Sequence, residues 1–89
     1  IYRTKSNYSL ALEFLNQSLK LNPLYAEAYS DIGALYIEMN NIPLAIKYLQ
    51  KSLEINPNNE ESKKWRTECY LRLNQISSYF YHYFSLKII

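Results

Sequence analysis

The sequence predicts an all-α protein: a short solenoid of antiparallel helix–turn–helix units, about four helices in all, with one complete unit flanked by partial ones. Three observations carry this. The chain repeats itself at an offset of 34 residues, bringing Tyr2, Tyr36 and Tyr70 into register, and likewise Asn7 with Asn41, Leu10 with Leu44, Ala11 with Ala45, Leu15 with Leu49, Ser18 with Ser52 and Asn22 with Asn56. Within each copy the apolar residues recur at i, i+3 and i+7, the spacing of one helical face. The near-copies "LKLNP" and "LEINP" end segments of helical periodicity, and alternation at period two is absent.

The first helix is expected over 8–21, with Leu12, Leu15 and Leu19 on one face beside Ala11 and Ser18. Asn22-Pro23 ends it, because a residue preceding proline avoids the helical region. The second, 25–39, is rich in good helix formers but holds the chain's only glycine, Gly33, in its middle. A mid-helix glycine costs about 1 kcal/mol relative to alanine. The third helix, 42–55, repeats the first face with Ala45, Ile46, Leu49 and Leu53. Asn41 is its expected N-cap, and Pro43 is tolerated in its first turn. Asn56-Pro57 closes it. A fourth helix over 59–74 takes Asn58 or Asn59 as cap and places Glu60 and Glu61 near its positive N-terminal end. The remainder, 76–89, is apolar and aromatic and unlike what precedes it. Together with an isoleucine at position 1, this leads to the expectation of a fragment with an atypical tail.

Composition narrows the functions. The chain has 89 residues, close to half hydrophobic, enough for one small core. A net charge of +2 argues for neither nucleic acid nor a membrane surface as partner. The apolar tail is too short to cross a bilayer and carries His82 and Lys87. No signal peptide opens the chain, and a single cysteine, Cys69, fits a reducing compartment, cytoplasmic or nuclear. One glycine rules out a glycine-rich phosphate loop. Cys69 and His82 are single ligands far apart, so neither a metal site nor nucleophilic catalysis is expected; no cofactor is expected, and the chain is not expected to be an enzyme. The tyrosines fall mostly on core or helix–helix positions, and Lys47 and Lys51 read as a solvated face.

The 34-residue unit resembles the tetratricopeptide repeat. Over 26–59 the pattern W-x2-L-G-x2-Y, A-x3-F, P is matched by Tyr29, Ile32, Gly33, Tyr36, Ala45, Leu49 and Pro57. The resemblance divides the chain into the end of a preceding repeat (1–25), a complete repeat (26–59), a degraded or capping first helix (60–75) and the tail (76–89). In 60–75, Lys63 replaces the aromatic, Arg66 replaces Ile32 and Thr67 replaces Gly33, while Tyr70 keeps its place; this suits a solvent-facing end. Beyond Ile76 the pattern fails, since Tyr79 falls where the repeat has alanine. Gly33 is expected to face the following helix near Ala45, where its missing Cβ lets two backbones approach.

The resemblance implies a protein-interaction scaffold that holds a partner's peptide in a groove lined by first helices. Its candidate groove residues here are Glu27, Ser30, Asp31, Ala34, Ile37, Glu38 and Lys64, with Glu68 beside them. Family members that clamp acidic carboxylate tails present Lys, Arg and Asn on that surface. This one presents Glu27, Asp31 and Glu38, so a neutral or basic partner is expected. A narrower likeness, carried by "NPLYAEAY", "NNIPLAI" and "LEINP", is to the last repeats of O-GlcNAc transferase and Spindly-type O-fucosyltransferases. It implies a substrate-recruiting arm without its catalytic domain. Asp31 departs from that group's asparagine ladder. A third reading is a self-associating module, because Leu10, Leu12 and Leu15 of the half-repeat lack a neighbour.

Overall fold

A computed structural model describes the backbone of residues 5–88 and the side chains of residues 7–74. Tyr2, and the side chains of Ile76, Tyr79, His82 and Lys87, lie outside the described residues. The described residues form four helices and no strand: α1 (Lys5–Leu21), α2 (Ala26–Glu38), α3 (Ile42–Ile55) and α4 (Glu60–Ile88). The chain is an all-α stack of helical hairpins. Among the described residues, α1 packs on α2, α3 packs between α2 and α4, and α4 also reaches α2.

The turns repeat at atomic level. Asn22 Oδ1 accepts from the Leu24 amide at 3.2 Å, and Asn56 Oδ1 accepts from the Asn58 amide at 3.2 Å. Side chains that mimic a backbone turn in this way are why Asn precedes Pro23 and Pro57. Asn41 caps α3, its Oδ1 accepting from the Leu44 amide at 3.4 Å, with Pro43 in the first turn. Asn59, rather than Asn58, caps α4, accepting from the Ser62 amide at 3.0 Å.

α2 ends in a left-handed residue, Asn40 (φ 62°). The Asn41 amide donates to the Tyr36 carbonyl at 2.8 Å and the Asn40 amide to the Ile37 carbonyl at 2.9 Å, the paired bonds of a Schellman cap. Asn74 occupies the equivalent place in the next copy, yet α4 continues through it and across residue 76 to Ile88. Two stop signals are missing there: glutamine stands in place of the capping Asn41, and Ser77 in place of Pro43.

The core lies where α2, α3 and α4 meet. Ile37, Ile42, Ala45, Leu49 and Cys69 are buried, and Tyr36, Ile46, Trp65 and Leu73 pack against them. A Cβ built on Gly33 would come within 2.6 Å of Leu49 Cγ and 3.4 Å of the Ala45 carbonyl oxygen. The helix therefore needs glycine where α3 crosses it. A buried hydroxyl pair then fixes α4. Ser52 Oγ on α3 donates to the Ala26 carbonyl of α2 at 2.8 Å and lies 2.6 Å from Ser62 Oγ of α4. The Ser52 proton is used on Ala26, so Ser62 is the donor of the second bond.

Candidate peptide groove

The stripe of α2 at Glu27, Asp31, Ala34 and Glu38 keeps a 4-3-4 spacing and so lies on one face. Glu27, Asp31 and Glu38 are exposed and Ala34 is half-buried. The same register on α4 carries Glu61, Trp65, Glu68 and Arg72. α4 packs beside α2, which makes these two stripes the walls of one surface.

Two of the expected groove residues are not on it. Ser30 is fully buried and Ile37 belongs to the core. Both share the Gly33 stripe, at spacing 3-4, which faces α3 rather than solvent. The remaining candidates are accessible. Lys64 is exposed, its ammonium 5.4 Å from the centre of the Trp65 ring. Glu68 forms an ion pair with Arg72 at 3.0 Å.

The surface is acidic at one end. Burial, then the charges of Glu61 and Glu27, hold the Asp31 carboxyl above its ordinary value. Glu61 is thereby part of the site, although the sequence reading treats it only as a helix-terminal charge. Its Oε1 accepts from Trp65 Nε1 at 3.4 Å. The neighbouring Glu27 carboxylate, through its side-chain polarity and then its charge, raises the Tyr25 phenol above its ordinary value. Trp65 was missed because the offset of 34 aligns it with Asp31, a surface residue, whereas it also packs on the core.

Among the described residues no three of His, Cys, Asp and Glu are grouped to hold a metal ion. Among the described residues, no helix is long and apolar enough to cross a membrane. Cys69 is buried on α4, and burial pushes its thiol up, away from the reactive thiolate.

The family model described as tetratricopeptide repeat matches residues 26–59. Over those residues the chain is similar to a tetratricopeptide repeat. No curated protein matches the chain. Within the repeat, Tyr48 of α3 is stacked between Tyr36 (5.5 Å, 16°) and Tyr29 (6.3 Å, 24°) of α2. Ile32, Gly33, Ala45 and Leu49 are buried, and Pro57 lies exposed in the closing turn. Signature positions thus hold the two helices together, while Glu27 and Asp31 of the surface stripe are exposed.

Proposed function

We propose that the chain is a protein-interaction scaffold whose α2–α4 surface holds a basic segment of a partner protein. Tetratricopeptide repeats generally mediate protein–protein contacts, and the match over 26–59 supports that class. The observation that carries the finer reading is the carboxylate cluster Glu27, Asp31 and Glu61. It brings two helices' acidic residues close enough to disturb Asp31. Like charges held together raise the local concentration of cations and repel an acidic tail. The chain as a whole is slightly basic, so the attraction is local to this surface.

Fluorescence anisotropy with a labelled Lys/Arg-rich peptide and a Glu-rich control tests this. The basic peptide is expected to bind, more weakly as salt rises. A variant carrying Glu27→Gln, Asp31→Asn and Glu61→Gln is expected to lose about 10- to 100-fold, at ~0.5–1 kcal/mol per exposed charge pair. Equal binding of both peptides, or an unchanged triple variant, would sink the reading. A recruiting arm for an O-glycosyltransferase remains the narrower alternative; the groove offers it the carboxylate of Asp31 where that group carries amides.

A further inference from the structure

Lys47 and Lys51, expected from the sequence to form a plain solvated face, flank a cleft. It has a volume of about 420 Å³ and is lined by Tyr29, Lys47, Tyr48, Gln50, Lys51 and Glu54. All six belong to α2 and α3, the two helices of residues 26–59, so the cleft does not depend on the helices at either end of the chain. It is also not the acidic surface. Tyr29 is two residues from both Glu27 and Asp31, which sets it roughly half a turn around α2 from them.

Two features of the cleft are unsatisfied within the protein. Lys47 and Lys51 stand one turn apart on α3, both exposed, and among the described residues neither ammonium is ion-paired. Like charges at this spacing repel along a helix, and Glu54 bonds to neither of them. On α4, by contrast, Lys63 pairs with Glu60 and Arg72 with Glu68. The second feature is aromatic. Tyr29 and Tyr48 are half-buried and stacked at 6.3 Å. Among the described residues their hydroxyls have no hydrogen-bond partner, and they reach solvent.

We infer that this cleft receives a phosphorylated tyrosine of a partner protein, its ring against Tyr29 and Tyr48 and its phosphate at Lys47 and Lys51. The walls are more apolar than polar, which favours a ligand with an apolar body, and two tyrosine rings suit an aromatic one. The charge of the lining is positive, two ammoniums against the single carboxylate of Glu54. The phenols and the Gln50 amide add neutral donors. A cation is repelled here, and a single carboxylate leaves one lysine unmatched. A phosphomonoester brings about two negative charges and three acceptor oxygens at neutral pH, a match to both lysines. The similarity of 26–59 to a protein-binding repeat favours a protein over a nucleotide as the bearer of that phosphate. The inference is independent of the basic-peptide reading, because the cleft shares no residue with Glu27, Asp31 and Glu61.

Fluorescence anisotropy with a labelled peptide holding one phosphotyrosine between neutral residues tests it. The phosphopeptide is expected to bind at least about tenfold more tightly than its unphosphorylated form. A variant carrying Lys47→Gln and Lys51→Gln is expected to lose about 10- to 100-fold, since two charge-assisted bonds go. Both substitutions are at exposed positions, and circular dichroism checks that the helices persist. The variant carrying Glu27→Gln, Asp31→Asn and Glu61→Gln is expected to bind the phosphopeptide no less tightly than the parent, which separates this test from that of the acidic surface. Equal binding of the two peptide forms, or an unchanged lysine variant, would overturn the inference. So would a phosphoserine peptide that binds as tightly, which would leave the tyrosine rings without a role. Displacement of the phosphopeptide by AMP at a lower concentration than by unlabelled phosphopeptide would also overturn it, and would make the cleft a nucleotide site.

Discussion

Replacing Gly33 with alanine separates the two roles a mid-helix glycine can have. On an open helix face, Gly→Ala stabilises by about 1 kcal/mol through helix propensity. At Gly33 the new Cβ would lie 2.6 Å from Leu49 Cγ and 2.7 Å from Leu49 Cδ2. Cγ is the branch point of a fully buried side chain, so it cannot swing aside as the tip of a long chain would. Overpacking of this kind costs about 1–3 kcal/mol. The net expectation for Gly33→Ala is a loss of about 0–2 kcal/mol, and Gly33→Leu should fail to close the α2–α3 seam. The sharper measurement is the cycle with Leu49→Ala, read by urea unfolding at 222 nm. Leu49→Ala alone leaves a cavity costing about 2–5 kcal/mol. Adding Gly33→Ala to it should cost nothing or restore stability, giving a coupling of about 1–3 kcal/mol. If Gly33→Ala instead raised stability by the full propensity gain, with no coupling to Leu49, the close approach at this crossing would be refuted.

Three further outcomes follow from buried polar groups and from the groove. Ser52→Ala strands both the Ser62 hydroxyl and the Ala26 carbonyl and should cost about 1–3 kcal/mol; Ser62→Ala removes only the outer donor and should cost less, and the double variant should cost little more than Ser52→Ala in denaturant melts. Ser30 Oγ is buried with no hydrogen-bond partner among the described residues, so Ser30→Ala should stabilise by about 1 kcal/mol rather than impair peptide binding, as checked by thermal melting and anisotropy side by side. The raised Asp31 carboxyl binds its proton more tightly folded than unfolded. Its contribution to stability is therefore full below the unfolded value and is lost as pH rises through the folded one. Asp31→Asn should raise the unfolding midpoint at pH 7, with the gain vanishing near pH 3.

Helix existence and turn chemistry were legible because they rest on local rules. Asn22 and Asn56 shape their turns with their own side chains, and Asn41 and Asn59 cap the helices that follow them. Gly33 was legible for a different reason: a residue that weakens a helix implies a neighbour that needs the space. What escaped was set by tertiary neighbours. Carrying a groove over by register assigned Ser30 and Ile37 to the surface, but α3 covers that stripe. The same register paired Trp65 with Asp31 and hid its packing on the core. The N-terminal patch was anticipated at Leu10, Leu12 and Leu15. Leu12 and Leu15 are half-buried, whereas Leu10 and Phe14 are exposed. Asn74 matched Asn40 in sequence but could not end α4 without the capping and proline signals that follow Asn40.

The central claim is that the acidic α2–α4 surface receives a basic peptide. Titrating a short Lys/Arg-rich peptide into isotopically labelled protein and following amide shifts by NMR tests it most directly. Shifts should concentrate at Glu27, Asp31, Ala34, Glu61 and Trp65 and leave Lys47 and Lys51 on α3 unmoved. Shifts centred on α3, or none at saturating peptide, would contradict it.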